Sequence, residues 1–347
     1  MTNKPTSQLL AFLCSFLTFT AIGQDIHLSH IHASPTALNP AMTGVFNGNL
    51  RFIGNTKMQW NTVTKGYKTA VGSADMKLFA MGKYDYVSGG IQLYADVAGD
   101  LNFSTTSAGL SVAYLKSFDD RGRNIISLGF QSSFIQNSID YSKIVSFGNV
   151  AGLYKGAAES QINYWDVNAG LSWFSQPSKY NFYYVGIAAS HLNNPVVSFL
   201  NQDNQDRANI LYRKLTVHGG ASLKVSHEFT LKPSFIFVDQ GPHREINVGS
   251  FVRYKAKYGP RKKPICFVYL GAWVRSYIEK DIAGVDAVVA SLRFDYKTMF
   301  MTFSYDFNVS TYRAASQGRG GAEFSVVKIL DWDRPMNRRT KVKCPIL

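Results

Sequence analysis

The sequence predicts an all-β fold: a transmembrane antiparallel β-barrel of the outer-membrane type with about 14 strands. Three observations predict it. Apolar residues alternate with small or polar residues along most of the chain, as in strands, where successive side chains point to opposite faces. Most of these segments run for roughly ten to thirteen residues, which suits a tilted membrane-spanning strand. Their number is even, as bacterial outer-membrane barrels usually require.

The first residues predict a secretory signal peptide, residues 1–23. A polar start containing Lys4 precedes an uncharged apolar run at residues 9–22, and small residues at 21 and 23 form a cleavage site. The run is shorter than the roughly 20 apolar residues of a membrane-spanning helix. Because no later run is long enough, a helical membrane protein is excluded. We therefore expect an exported protein in which residues 24–48 form an N-terminal periplasmic extension.

The predicted barrel occupies residues 49–330. In its clearest segment, Trp165, Val167, Leu171 and Trp173 share one face of a strand, and Asp166 lies on the other face. The predicted strands begin near Asn49, Gly66, Tyr86, Thr105, Asn124, Asn163, Asn181, Tyr212, Glu228, Arg244, Pro264, Gly284, Thr298 and Arg319. The glycine-rich residues 316–321 are expected to form the turn into the last strand, which must pair with the first strand around Arg51 to leave no open edge.

Connection lengths test the barrel independently. If both termini are periplasmic, the odd-numbered connections lie outside, and the two longest, residues 138–162 and 192–211, are the fifth and seventh. Long outer loops and short periplasmic turns are typical of these barrels. Aromatic residues near strand ends fit the two bilayer interfaces: Trp60, Tyr67, Tyr86, Tyr180, Tyr183, Tyr184, Tyr212, Tyr254, Tyr277 and Tyr296. The alternative, a soluble β-sandwich, explains less well why polar and glycine residues line one face of nearly every strand.

Charge suggests two kinds of candidate site. The net charge is +14, and residues 331–347 are expected to form a basic periplasmic tail. The candidate partner-docking residues are Lys257, Arg261, Lys262 and Lys263 in the tenth connection and Arg338, Arg339, Lys341 and Lys343 in the tail. They are either solvated charge runs or a periplasmic docking face for an acidic partner or anionic lipid headgroups. Nucleic acid is not expected as a partner of an exported protein.

A second set of charges is expected to face the lumen, because each alternates with the apolar face of its strand. This set comprises Asp166, Lys232, Arg253, Lys255, Arg275, Arg293, Asp295 and Asp306. These residues line either a polar channel or docking surface, or a network of ion pairs that fills the lumen. Fourteen strands lie between small packed barrels and the aqueous porins of 16 to 18 strands, and we favour the filled network.

Motifs for catalysis or cofactor binding are not found, so we expect no enzymatic activity, no cofactor and no metal. His27, His30 and His32 have spacing that zinc could use, but no carboxylate or thiolate completes the set. Cys266 and Cys344 could form one disulfide in an exported protein, although two cysteines are too few for a disulfide-stapled fold.

Several short motifs together resemble one family. They are Asn39, Pro40, Ala41, Met42, Thr43 and Gly44, then Arg51, Gln59 and Trp60, and near the end Tyr305, Asp306, Asn308, Ser310, Gly318, Gly320, Glu323, Cys344 and Pro345. In this order, and behind a signal peptide, they resemble the PorP/SprF family of outer-membrane barrels of the type IX secretion and gliding systems. The resemblance spans residues 24–347.

The resemblance implies a function that strand patterns alone do not indicate. It implies a role in type IX secretion, either in the envelope complex or in anchoring a secreted surface adhesin. The implied partners are other type IX secretion components or a secreted surface protein, with outer-membrane lipid around the barrel. One alternative is a passive porin or small-solute channel. Another is an outer-membrane enzyme such as a lipid hydrolase, for which the sequence offers no Ser/His/Asp set.

Overall fold

A computed structural model describes residues 34–59, 66–99, 102–140, 160–199, 210–258, 264–279, 282–310 and 318–332. A short helix, α1 (Pro35–Leu38), and a 3₁₀ turn (Pro40–Met42) precede the strands. The strands are β1 Leu50–Gln59, β2 Tyr67–Ala80, β3 Tyr86–Ala98, β4 Phe103–Ser117, β5 Asn124–Ser138, β6 Gln161–Ser175, β7 Phe182–Ser190, β8 Lys214–Lys224, β9 Phe229–Gln240, β10 His243–Tyr258, β11 Pro264–Glu279, β12 Ile282–Tyr296, β13 Met299–Asn308 and β14 Arg319–Leu330.

The strands form one closed antiparallel barrel of 14 strands, which confirms the predicted fold class. Each predicted start lies within two residues of the observed one. Strand β1 pairs with β14, and Arg51 lies opposite Ile329, so the seam closes where the sequence predicted it. The turn into β14 contains Gly318 at φ +72°, a conformation that favours glycine. Because closure removes every sheet edge, the alternative of a β-sandwich is wrong.

The apolar face of each strand points outward. On β6, Trp165, Leu171 and Trp173 are 62%, 45% and 42% exposed, whereas Asp166 between them is buried. Leu110 on β4 and Leu270 on β11 are also exposed. A belt of apolar side chains around a polar interior is the arrangement required by lipid outside a closed barrel. Among the described residues, no helix has the length and hydropathy needed to cross a membrane.

The end of the barrel where β1 begins and β14 ends is called the terminal end here. It also carries the connections that follow even-numbered strands. Exposed tyrosines near strand ends include Tyr67, Tyr212 and Tyr296, as expected for residues at a bilayer interface. The same prediction is wrong for Tyr86 and Tyr184, which point inward and are buried. Both pack in a core cluster within the barrel, so they serve the interior and not the interface.

The largest core cluster lies inside the barrel at the terminal end. Met42 and Val45 from the N-terminal segment pack there against side chains of β3 to β7, namely Tyr86, Ala113, Leu115, Ile125, Phe174, Phe182 and Tyr184. Residues 34–48 were expected to extend into the periplasm. The structure instead shows them inside the barrel, because Met42, Val45 and Phe46 find apolar partners there. These residues are called the plug segment below.

Candidate functional site inside the barrel

The plug segment owes its compact shape to proline and asparagine. Pro35 occupies the first turn of α1, where a missing backbone N–H costs nothing. Asn39 ends α1 and caps the following 3₁₀ turn, since the N–H of Ala41 donates to Asn39 Oδ1 at 2.9 Å. The short turns replace a longer helix and let successive residues face different parts of the wall.

Asn39 connects the plug segment to the part of the inner wall formed by β6, β7 and β8. Its Nδ2 lies 3.0 Å from Ser172 Oγ and 3.0 Å from His218 Nε2. The same atom lies 3.3 Å from the carbonyl oxygens of Leu171 and Ile187. Asn39 is fully buried, and a buried amide must find such partners to offset its lost hydration. This one side chain therefore joins the segment to β6, β7 and β8.

Glycines on the inner wall make room for the plug segment. A Cβ on Gly129 of β5 would lie 2.3 Å from the backbone N of Ala41, and one on Gly170 of β6 would lie 1.9 Å from Asn39 Oδ1. Ser127 Oγ, two residues from Gly129, donates to the carbonyl of Ala41 at 2.7 Å. The wall is thus shaped to contact the backbone of the segment directly.

An ion pair fixes the other end of the plug segment. Arg51 Nη2 lies 2.7 Å from Asp75 Oδ2, and both side chains are almost completely buried. Arg51 also donates to the carbonyls of Met42 and Val45, at 3.2 and 3.4 Å. The N–H of Gly44 donates to Asp75 Oδ2 at 2.7 Å. The pair therefore satisfies backbone groups of the segment as well as its own charges, as a buried ion pair requires.

A second charge network lies next to the seam of the barrel. Asp306 Oδ2 accepts from Arg275 Nη1 at 2.9 Å and from Lys57 Nζ at 3.2 Å. Arg275 also pairs with Asp286, at 2.7 Å. Asn55 on β1 donates to Glu323 on β14 at 2.8 Å. The network joins β1, β11, β12, β13 and β14 by side chains in addition to the backbone pairing of the seam.

A third cluster is basic and aromatic. Arg293 Nε donates to Asp295 Oδ1 at 2.7 Å, and Tyr269 OH donates to Asp295 Oδ2 at 2.5 Å. The Lys232 ammonium lies over the Tyr269 ring, 5.6 Å from its centroid. Arg253 lies nearby on β10 and donates to Thr230 Oγ1 at 2.8 Å. Among the described residues, this cluster contains the cations Lys232, Arg253 and Arg293 and the carboxylate Asp295.

The predicted lumen charges all lie on inward-facing positions. Asp166, Arg275, Arg293 and Asp295 are buried, and Lys232 and Arg253 are half-buried. The structure brings Lys232, Arg253, Arg293 and Asp295 into the third cluster, and Arg275 into the second. Asp166 stands apart and pairs with His191 Nδ1 at 2.9 Å.

Most of the predicted docking residues lie outside the described part of the chain. Lys257 lies in β10, and its side chain is not among those described. Arg261, Lys262, Lys263, Arg338, Arg339, Lys341 and Lys343 lie outside the described residues, as do the signal peptide, the basic tail, Cys344 and the three histidines near the N-terminus. Among the residues that are described, no group of His, Cys, Asp and Glu could hold a metal ion.

Sequence reasoning missed the plug segment, its partner Asp75, and Glu323 and Lys57 of the network at the seam. Asp75, Glu323 and Lys57 lie on inward positions of their strands, so extending the same alternation to β1, β2 and β14 would have found them. Asn39 and His218 are different, because they meet across 179 positions of sequence. No local pattern indicates such a contact.

Comparison with known proteins decides the family. The model of the family described as "Type IX secretion system membrane protein PorP/SprF" matches residues 20–326. This chain belongs to the PorP/SprF family. It is therefore a membrane component of type IX secretion, and its closed barrel of outer-membrane type places it in the outer membrane. Among curated proteins, none matches the chain.

The solved structures that are similar to this chain include other outer-membrane proteins. The CymD monoaromatic hydrocarbon channel is 11% identical, with 87% of this chain and 94% of CymD covered and a TM-score of 0.49. The toluene transporter TbuX of Ralstonia pickettii is 10% identical, with 86% and 94% covered and a TM-score of 0.49. CdiB from Escherichia coli is 10% identical, with 80% and 62% covered and a TM-score of 0.48.

Proposed function

We propose that this PorP/SprF protein is a non-enzymatic binding component of type IX secretion. It acts either within the envelope complex or as the anchor of a secreted surface adhesin, and it reaches the outer membrane by means of a cleaved signal peptide, residues 1–23. Its partners are other secretion components, a secreted surface protein and the surrounding lipid. The observation that carries the proposal is the plug segment, because a barrel that holds part of its own chain in the lumen suits binding better than free diffusion.

A passive porin is the second candidate, and the same observation opposes it. The plug segment forms hydrogen bonds with β1 to β8 at the terminal end of the lumen, and its Phe46 packs against β13 and β14. The network around Asp306 and Arg275 fills space along the inner wall formed by β1, β11, β12 and β13. Conductance in a planar bilayer separates the two: a stable, large conductance from the purified wild-type barrel would favour the porin.

Connection lengths support one side of the membrane for the candidate docking clusters. With the terminal end facing the periplasm, the longest connections lie at the cell surface, as barrels of this type arrange them. The cluster at Lys257, Arg261, Lys262 and Lys263 and the cluster in the tail would then face the periplasm. We propose them as a docking face for an acidic partner, because clustered cations steer and hold oppositely charged surfaces.

Crosslinking in the native envelope tests the function. We expect the wild-type protein to recover type IX secretion components or one secreted surface protein. Recovery of neither would count against the proposed function. Replacing the eight docking residues by glutamine should reduce that recovery. A control variant replaces Lys143, Lys155, Arg207 and Arg213, which follow β5 or β7 in the sequence, by glutamine and should leave recovery unchanged. Unchanged recovery in both variants would contradict the docking face alone.

A further inference from the structure

Two exposed lysines lie beside the seam of the barrel at its terminal end. Lys297 and Thr298 form the two-residue turn between β12 and β13, and Lys328 lies near the end of β14. The Lys328 ammonium donates to Thr298 Oγ1 at 3.1 Å, and the backbone N–H of Ile329 donates to the Thr298 carbonyl at 2.8 Å. The turn and the last strand therefore bring two lysines and one hydroxyl to the same part of the rim.

Lys328 interrupts the apolar outer surface of the barrel. The next residue, Ile329, is buried in the lumen, so Lys328 points outward, because successive side chains of a strand alternate. Register places it opposite Phe52 of β1 and Met299 of β13, and Phe52 is exposed on the outside. A lysine among such neighbours extends its ammonium group along the apolar surface toward the lipid headgroups. Lys328 therefore marks the depth at which headgroups meet the barrel.

Lys297 is held at the rim by its backbone and by an aromatic ring. Its ammonium lies over the ring of Tyr296, 5.2 Å from the centroid, and Tyr296 is itself exposed. The backbone of Lys297 has φ +53°, a left-handed conformation that is uncommon for residues other than glycine, asparagine and aspartate. A conformation of this kind persists where the surrounding structure imposes it, and often where it serves a function. The turn thus keeps a lysine at a position that glycine would occupy with less strain.

The two lysines keep their positive charge available for a ligand. Among the described residues, neither Lys297 nor Lys328 forms an ion pair. Asp295 is close in sequence, but it is buried and faces the lumen. Asp331 follows β14, and its Oδ1 accepts from Asn49 Nδ2 at 3.3 Å. Two ammonium groups at a headgroup interface attract an anion, and lysine is a common phosphate ligand in proteins.

Two paired glycines leave an open surface beside the lysines. Gly54 of β1 lies opposite Gly72 of β2, and both are exposed on the outside of the barrel. A Cβ added at either position would have no atom within 4 Å. Gly54 also lies opposite Val326, two residues from Lys328 toward the middle of β14. Because a glycine inside a strand often marks the close approach of a ligand, an acyl chain can lie against the backbone here, deeper in the membrane than the lysines.

We propose that Lys297, Thr298 and Lys328 bind the phosphate of an anionic phospholipid, one acyl chain of which lies on the surface at Gly54 and Gly72. The lysines supply the charge. The Thr298 hydroxyl accepts from Lys328, which leaves its own hydrogen to donate to a phosphate oxygen. The choice of a lipid follows from the membrane-facing surface on the same strands. It rests on the proposed contact with surrounding lipid, and with the terminal end in the periplasm the lipid belongs to the periplasmic leaflet.

The test uses the purified full-length barrel in detergent, and native mass spectrometry measures the Kd of the lipids that remain bound. Dioleoyl phosphatidylglycerol is the anionic probe, and dioleoyl phosphatidylcholine is the zwitterionic probe. We expect phosphatidylglycerol to bind more tightly. Lys297→Gln/Lys328→Gln should raise its Kd at least roughly ten-fold, since two cations near the headgroups are lost. Lys83→Gln/Lys179→Gln removes the same charge from exposed positions in other connections of the terminal end and should leave the Kd unchanged.

Three further measurements keep the outcome clear. If the lysine double variant does not fold, as judged by heat-dependent migration on a gel, Lys297→Gln alone changes only the exposed turn and should raise the Kd to a smaller extent. Gly54→Leu/Gly72→Leu covers the open surface and should weaken the binding of both lipids. Inorganic phosphate, added as a competitor, distinguishes a small-anion site from a phospholipid site.

Equal affinity of the wild type for both lipids, or an equal change of Kd in the lysine and control variants, would overturn the proposal. Unchanged binding in the glycine double variant would overturn the position of the acyl chain. Displacement of phosphatidylglycerol by phosphate at matched concentration would overturn the phospholipid ligand. Failure of the site is distinguishable from failure of the function: envelope crosslinking that recovers secretion components, combined with no preference for phosphatidylglycerol, rejects this site alone.

Discussion

Gly129→Ala should displace the plug segment. The added Cβ would lie 2.3 Å from the backbone N of Ala41 and 2.3 Å from the carbonyl carbon of Pro40. Backbone atoms cannot rotate away as a flexible side chain can, so the segment or the strand has to shift. Overpacking of this kind costs about 1–3 kcal/mol. If the segment absorbs that cost, the ratio of seated to displaced plug falls roughly 5- to 150-fold.

Conductance of single barrels in a planar bilayer measures this displacement. We expect Gly129→Ala to give a larger or more frequently fluctuating current than the wild type, because a displaced plug segment opens the terminal end. The matched control is Gly54→Ala on β1, where an added Cβ has no atom within 4 Å. Gly54 is exposed on the outside of the barrel, so its variant carries the same chemical change without touching the segment.

The reasoning fails if the wild type, Gly129→Ala and Gly54→Ala give the same current while all three are folded. That result would mean that the wall, and not the segment, absorbs the added methyl group, or that displacement does not open the lumen. A larger current from Gly54→Ala alone would contradict the geometry altogether.

Three more predictions follow from other parts of the molecule. Arg51→Met leaves Asp75 buried and unpaired and should lower the free energy of unfolding by about 3–5 kcal/mol in a urea titration. Leu171→Arg places a charge on the lipid-facing side of β6 and should destabilise the folded barrel in bilayers by roughly 2–4 kcal/mol. For Asp85, in the β2–β3 connection, desolvation raises the pKa, but hydrogen bonds from Lys116 and a backbone N–H outweigh it and lower the pKa below 3.8. The stability that Asp85 contributes is therefore present above pH 3.8 and lost as the pH falls through the lowered pKa, so Asp85→Asn and the wild type should converge in urea titrations at low pH.

The barrel could be predicted from the sequence because its signal is local. A strand alternates at every second residue, and Trp165, Asp166 and Val167 already give the two faces of β6. Closure is expected because the number of strands is even and because an open sheet edge would leave backbone N–H and C=O groups without hydrogen bonds in lipid. The inward charges could be predicted for the same reason, and Arg275 and Arg293 lie where alternation places them.

The contents of the lumen could not be predicted in the same way. Nothing in residues 34–48 has a period that identifies a wall partner, and Asn39 meets His218 only after eight strands have closed around it. Tyr86 and Tyr184 illustrate the same limit. Their position near strand ends suggested the bilayer interface, but both lie on inward positions of their strands and pack in the same cluster as Met42 and Val45. Contacts at long sequence separation determine the packing partners of these two tyrosines.

The position of the plug segment has a consequence for the order in which the barrel folds. Its hydrogen bonds to the wall and its largest core cluster come from β1 to β8, so the N-terminal half can wrap around most of the segment before the C-terminal strands are in place. Phe46 meets Phe300 of β13 and Ile329 of β14 only when those strands arrive. The seam must form late, since its side-chain bond between Asn55 and Glu323 joins residues 268 positions apart, and closing so long a loop is slow. In that order, the segment serves as an internal template whose size sets the curvature of the first half. The barrel then completes its ring around a core that is already assembled.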